Sequence, residues 1–336
     1  MAAKFRILSL DGGGLRGIIP VMVLKGIERR SGKRITDLFD MVAGTSTGGL
    51  IACGITVSDN GISPKYALEE IEKIYVENGK DIFPKKSAFN TFVSKITSLK
   101  NPKYSAKGLQ KVLTDLMGDK RISDCAKPIL ITTYDLFNNE ALIFKYRQAI
   151  SHPDSNALLK DICRATSAAP TYLPAYDFVY RDKKRLCVDG GLYMNNPSMG
   201  ALIEMVKYHR EAPYNLPELK LADIAILSLG TGHYTSKIAQ KKVEGWGLLD
   251  WAPNITDVMM QAINQTINYQ AEELTHAENF LRINPIIDNL DYSDMADSSD
   301  EARNYFFNLA NREILGNSVL MKKLDAFLDV AANKVV

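Results

Sequence analysis

Phe39-Asp40-Met41-Val42-Ala43-Gly44-Thr45-Ser46-Thr47-Gly48-Gly49 is the stretch on which the reading of this chain turns. Apolar residues run into small ones, and a second apolar segment, Leu50-Ile51-Ala52-Cys53-Gly54-Ile55, follows. The pattern predicts a strand, a tight turn and a helix, with G-x-S-x-G at the turn. A serine in that place takes strained backbone angles and needs small neighbours two residues away on each side. Gly44 and Gly48 supply them. Such a turn lifts the Ser46 hydroxyl above the sheet at a helix N-terminus, where N–H groups and the helix dipole favour negative charge. A Gly/Thr/Ser-rich connector without chemistry has the same composition, so the rest of the chain has to decide.

Upstream, Phe5-Arg6-Ile7-Leu8-Ser9-Leu10 reads as a first strand running into Asp11-Gly12-Gly13-Gly14-Leu15-Arg16-Gly17, with an amphipathic helix from Ile18 to Arg30. Gly12, Gly14 and Gly17 satisfy G-x-G-x-x-G between a strand and a helix, the context of a dinucleotide site. Against that reading, Asp11 puts a carboxylate at the mouth of the site. The next strand also ends in the Ser46 turn and not in an acidic residue suited to a ribose. The preferred reading is a nest of N–H groups from Gly12, Gly13 and Gly14, with Arg16 beside it, for a transient oxyanion.

Downstream, Leu186-Cys187-Val188 reads as a short strand ending in Asp189-Gly190-Gly191. A carboxylate at the C-terminal end of a strand in an α/β sheet sits where ligands bind. The glycines after it let another segment come close. Alone, Asp189 would be a turn cap; with the elbow and the nest it becomes the candidate base for Ser46. An ordinary aspartate, with a pKa of ~3.9, is a weak base for a serine, so the N–H donors are expected to carry much of the barrier reduction. A Ser…Asp…His order leaves His209, His233 and His276 as possible partners. His233 is the serious one, because it follows Gly230-Thr231-Gly232 at a buried strand end.

With D-G-G-G-x-R-G after one strand and G-T-S-T-G-G after the next, the chain resembles the patatin-like phospholipase family. Ala165-Thr166-Ser167-Ala168-Ala169-Pro170, Val188-Asp189-Gly190-Gly191 and Ser228-Leu229-Gly230-Thr231-Gly232 extend the resemblance over roughly residues 5–235. The resemblance implies a three-layer α/β/α fold with a central, mainly parallel sheet. It also implies a lipid acyl hydrolase with a Ser–Asp dyad and no histidine, here Ser46 and Asp189, with Gly12, Gly13, Gly14 and Arg16 as the oxyanion loop. The expected substrate is a phospholipid or lysophospholipid, with no cofactor and no metal, and Tyr172-Leu173-Pro174 is expected to line the pocket. The alternatives are a Ser-His-Asp esterase or acyltransferase using His233, and a non-catalytic nucleotide- or lipid-binding protein.

The 336 residues are 46% hydrophobic and 24% charged, an ordinary globular composition. A net charge of +2 argues against a nucleic-acid partner. No apolar run reaches the ~18 residues of a spanning helix, and the N-terminal apolar run is too short for a signal peptide. Cys53, Cys125, Cys163 and Cys187 are far apart and read as buried reduced thiols. A cytoplasmic protein with transient membrane-surface contact is expected; the oligomeric state is not readable.

Residues 1–235 are expected to form the catalytic domain, with a helical, lid-like insertion at about 64–118, and 236–336 to pack on it as a strand and helices. Helices are expected over 64–77, 105–117, 156–168, 254–273, 302–314 and 318–330, and further strands over 128–134, 141–146, 221–229 and 280–283. The stretch Lys80 to Lys111 carries eight lysines and one acid, Asp81, with Phe89, Phe92, Val93, Ile96 and Leu99 at helical spacing. That pattern fits either a basic amphipathic helix on an anionic bilayer or a cap helix on the core. Trp246 and Trp251 fit either an interfacial anchor or loop packing.

Overall fold

The computed structural model describes residues 4–83, 102–234, 243–247, 251, 255–276 and 278–329. At its centre β1 (Phe5–Leu10) lies between β2 (Met41–Thr45) and β7 (Ile224–Leu229), parallel to both. Beyond them, β3 (Ile129–Asp135) joins β2 and β8 (Phe280–Ile283) joins β7, again in parallel. Three antiparallel strands complete the sheet: β4 (Glu140–Lys145) and β6 (Lys183–Asp189) on β3, and β5 (Tyr176–Tyr180) on β6. The order is β5-β6-β3-β2-β1-β7-β8, with β4 also on β3.

Alternation along the central strands builds the three layers. Ile7, Met41, Ala43, Ile224 and Ile226 face one side and meet Met199, Leu202 and Met205 of the helix Ser198–Tyr208. Leu8, Leu10, Val42, Leu227 and Leu229 face the other, where the helices Ile18–Ser31, Thr47–Thr56 and Leu68–Val76 pack. Both faces are covered, which is why these strands read as nearly continuous apolar runs. The C-terminal elements share this body: β8 is a strand of the same sheet, and Ala302, Phe306 and Leu324 lie in the same core as Ile18 and Leu24. All four cysteines are buried and unbridged, and no described helix is long and apolar enough to cross a membrane.

One edge of β3 positions the site. β4 occupies the other edge along Leu130–Asp135. On the shared edge β2 pairs as far as Thr45 opposite Thr132; β6, running the other way, pairs from Asp135 down to Asp189 opposite Thr133. A strand has two edges, so β2 and β6 meet end to end on one of them. Hydroxyls staple the junction: Thr45 Oγ1 lies 2.7 Å from Thr132 Oγ1, and Thr133 Oγ1 donates to the Val188 carbonyl at 2.7 Å. The sequence reading placed Asp189 at the C-terminal end of a short strand, and β6 does end there. That strand is antiparallel to β3, and Asp189 reaches the C-terminal edge of β2 because β6 stops where β2 stops.

Other boundaries differ for local reasons. Of the β5–β6 hairpin the sequence reading contains only Leu186-Cys187-Val188, near the end of β6. Arg181 and Asp182 form its turn with φ of 53° and 55°, without the usual glycine or asparagine. The helix expected from residue 64 starts at Leu68: Pro64 bridges to Ser58, and Glu70 caps the Ala67 N–H at 2.8 Å. The helix expected over 302–314 is α-helical only through Leu309 and continues as a π-turn, Ala310–Leu315. The lysine-rich amphipathic segment with Phe89, Phe92, Val93, Ile96 and Leu99 lies outside the described residues.

The elbow depends on absent side chains. A Cβ on Gly48 would sit 2.1 Å from the Leu10 carbonyl oxygen, and one on Gly44 2.3 Å from the Gly48 carbonyl oxygen. Both obstacles are backbone in buried elements, so neither can step aside. Gly48→Ala is expected to lower the free energy of unfolding by about 3 kcal/mol or more, read from the urea midpoint, whereas Gly245, with open space around it and no positive φ, tolerates the same change.

Candidate active site

Ser46 has φ 55° and ψ −124°, a strained conformation for a residue with a side chain. Its N–H donates to Thr166 Oγ1 at 2.8 Å, and that hydroxyl donates to the Thr132 carbonyl at 2.6 Å. One threonine thus ties the strained residue to β3. The Ser46 carbonyl accepts from Leu50 N–H at 3.1 Å, so the residue also opens the helix Thr47–Thr56.

Asp189 is 6% exposed. Its N–H donates to the Ala168 carbonyl at 3.0 Å, and its Oδ1 accepts from Gly191 N–H at 2.7 Å. Burial pushes its pKa up to about 6, against the opposing pull of hydrogen bonding from Ser46 and Gly191 N–H. The expectation of an ordinary carboxylate is therefore revised. The sheet brings this group to Ser46 in a water-poor place, where it is a stronger base than a solvated aspartate.

The glycine loop is held by its carbonyls. Gly12 O accepts from Thr231 Oγ1 at 2.8 Å, and Gly13 O accepts from Arg16 Nε and Arg16 N–H, both at 3.3 Å. In a trans peptide the carbonyl and the following N–H point opposite ways. Pinning these two carbonyls therefore aims the N–H groups of Gly13 and Gly14, for which the described residues offer no acceptor. Gly12 differs from the sequence expectation: its N–H is engaged by the Asn195 carbonyl at 3.2 Å, so the loop presents two donors and not three. Arg16 is buried, reaches Tyr234 Oη at 2.9 Å and braces the loop.

Two cavities flank the loop. A narrow apolar one of about 50 Å³ contains Ser46 and is lined by Leu50, Ile74, Tyr75, Leu109, Leu173 and Met295; Tyr172 also borders it, as the resemblance implied, and Pro174 does not. A polar one of about 40 Å³ lies against Asp11, Gly12, Asn195, Thr231 and His233. It adjoins a wider polar groove of about 250 Å³ with Gln265, Asn268 and Asn284.

His233 belongs to the polar side. Its Nδ1 lies 3.3 Å from Asn284 Nδ2, and Asn284 Oδ1 is taken by Gly232 N–H at 2.8 Å. The ring is thereby fixed as an acceptor at Nδ1, and burial with nearby Arg282 lowers its pKa. Asp11 forms a two-pronged ion pair with Arg282, whose Nη1 donates to Oδ1 at 2.9 Å. With that carboxylate buried and Gly12 N–H used, the loop is a poor pyrophosphate cradle. Trp246 and Trp251 pack on each other edge to face at 5.1 Å. Thr166, Thr231, Asn195 and Arg282 had no assigned role in the sequence reading. Each works through a partner more than 30 positions away, which no local spacing encodes.

Residues 8–202 match the family described as patatin-like phospholipase. The chain is 34% identical to patatin-like protein 2 of Arabidopsis thaliana, over 82% of this chain and 74% of that one. It is 31% identical to patatin-like protein 4 of the same plant, over 96% and 86%. A Solanum tuberosum chain named probable inactive patatin-3-Kuras 1 is 30% identical over 82% and 77%. A crystal structure of VipD from Legionella pneumophila aligns with a TM-score of 0.43 at 10% identity, over 93% of this chain and 67% of that one.

The raised carboxyl makes a stability prediction. The folded pKa of about 6 exceeds the unfolded value near 3.8, so the folded state holds this proton more tightly. The resulting stability is present below about pH 4 and is lost as pH rises through about 6. Asp189→Asn, which keeps an acceptor for Gly191 N–H, should gain on the parent protein over that window by up to about 3 kcal/mol and hold the gain above it. Urea unfolding of both proteins at pH 4, 6 and 8 measures it.

Proposed function

The chain belongs to the patatin-like phospholipase family, and from that premise we propose that it cleaves ester-linked fatty acids from phospholipid or lysophospholipid through a Ser46 acyl-enzyme. Membership alone does not carry activity, since one of its relatives is named probable inactive. The observation that carries the proposal is the end-to-end meeting of β2 and β6, which sets a buried carboxylate against a strained serine.

Asp189 takes the Ser46 proton as the hydroxyl oxygen attacks the ester carbonyl carbon. The oxyanion forms against the N–H groups of Gly13 and Gly14, already aimed by Thr231 and Arg16, so little reorganisation is needed at that moment. The proton passes from Asp189 to the departing alcohol. Water then attacks the acyl-enzyme with the same base, and Ser46 is released. The apolar cavity is the place for the acyl chain. At about 50 Å³ it is far below the roughly 300–1,000 Å³ of ordinary ligand pockets, so chain entry requires its lining side chains to part. A lid movement at a membrane surface would do this.

The His233 alternative has less support, because that ring lines the polar cavity and its Nδ1 faces Asn284. Nucleotide binding is weakened by the Asp11–Arg282 pair.

Mass spectrometry of products from a mixed-chain phosphatidylcholine should show free fatty acid and lysolipid, absent with Ser46→Ala; full activity in that variant overturns the nucleophile. Activity against pH should have its acid limb near 6, where Asp189 ionises. Because a histidine could titrate there too, the limb must persist in His233→Gln. Its disappearance in that variant would favour the triad.

A further inference from the structure

Deacylation requires water at a second position beside the carboxylate, and the polar side of the glycine loop offers a group for it. Asn195 is 3% exposed, and its Oδ1 is a buried acceptor with no donor among the described residues. The orientation of the amide is fixed: Nδ2 faces two acceptors, Asn264 Oδ1 at 3.3 Å and the Gly12 carbonyl at 3.5 Å. A carbonyl oxygen kept dry and unpaired is costly, so a group held this way calls for an account.

Two glycines define its surroundings. Asn195 Oδ1 lies 2.4 Å, and Ser46 Cβ 3.1 Å, from the point where a Cβ on Gly12 would stand. Asn195 Oδ1 and Asp189 Oδ1 each lie 3.1 Å from the corresponding point on Gly191. The amide oxygen is therefore wedged between two residues without side chains, with the nucleophile beyond one and the carboxylate beyond the other. Two oxygens each 3.1 Å from a common point stand within two hydrogen-bond lengths of each other. One water admitted between them by a small shift of the packing around the amide oxygen would donate to both.

We propose that Asn195 is the water-positioning residue of the deacylation step and that the polar cavity it borders admits that water. The inference rests on the Ser46 acyl-enzyme. An acyl chain attached to Ser46 fills the apolar side, so water has to come from the other, where Gly12, Asn195, Thr231 and Asn264 line the cavity. Asn195 Oδ1 accepts one hydrogen of the water and Asp189 the other. The water oxygen attacks the acyl carbonyl carbon while the second hydrogen passes to Asp189 as a proton. The tetrahedral oxyanion then collapses, the carbon–Oγ bond breaks, and Asp189 returns the proton to Ser46 Oγ. The hydrogen facing Asn195 leaves with the fatty acid. The amide oxygen has no part in acylation, where the serine itself supplies the proton; the amide nitrogen's contact with the Gly12 carbonyl, which Thr231 also holds, serves both steps alike.

That asymmetry is the test. Stopped-flow hydrolysis of a medium-chain p-nitrophenyl ester should give, for Asn195→Ala, a burst of one p-nitrophenolate per Ser46. The steady-state rate should fall about 10- to 100-fold, at least about fivefold more than the acylation constant. Acid quenching should trap an acyl adduct on the intact protein. The burst counts competent sites, so misfolded protein does not distort the ratio. Asn195→Asp keeps an acceptor oxygen in place and, at about pH 8.5, should deacylate faster than the alanine variant. Deacylation at the parental rate in Asn195→Ala, or acylation and deacylation slowed alike, overturns the proposal. Absence of any Ser46 adduct under single-turnover conditions in both the parent and Asn195→Ala would instead overturn the acyl-enzyme on which it stands.

Discussion

Two strands running toward each other along one edge of β3 set a constraint that the rest of the molecule obeys. β2 ends opposite Thr132 and β6 opposite Thr133, so the residues that follow and close them, Ser46 and Asp189, share one small volume. Each strand has to stop there: if either ran on, it would collide with the other. The sharp turn at Ser46 and the glycines after Asp189 are both ways of leaving the edge. Gly190 follows from the same crowding, since a Cβ there would meet Thr132 of β3, while Gly44 and Gly48 answer to the elbow itself and to the Leu10 carbonyl of β1. Thr45, Thr132, Thr133 and Thr166 then supply hydroxyls that close the hydrogen bonds of a ladder interrupted at its centre.

Burial at the junction also sets the electrostatics. A carboxylate removed from water is harder to ionise, so Asp189 titrates near 6 and accepts a proton more readily than a solvated aspartate would. Asp11, at the start of the same loop, is matched by Arg282, and Arg16 is turned toward Gly13 and Tyr234. What remains facing Ser46 are backbone dipoles. They are fixed in direction because the carbonyls behind them are fixed, and preorganised dipoles in a dry site are effective on developing charge.

The loop separates two environments of opposite character. On one side Leu50, Ile74, Leu109 and Leu173 make an apolar slot; on the other, side-chain amides of the helix Ile255–Leu274 and Asn195 make a polar one. A hydrolase for lipids needs both, because the acyl chain and the water that releases it have to reach one carbonyl carbon without competing for the same space.

Most of this was legible in the chain before any coordinates. Strand-turn-helix at Ser46 and the glycine loop after β1 are local patterns, set by backbone freedom and side-chain periodicity within a dozen residues. The motifs in order also named the family and picked out Asp189. Tertiary structure decided what depends on distant partners: that β6 runs antiparallel and still ends beside Ser46, and that Gly12 N–H is taken by Asn195. It also decided that Thr231 and Thr166 hold the loop and the elbow, and that the Asp189 carboxyl is dry enough to titrate near 6. The reason is physical. A residue's own conformational limits are written at its position, whereas burial, register and the far end of a hydrogen bond are properties of pairs that only the folded chain brings together.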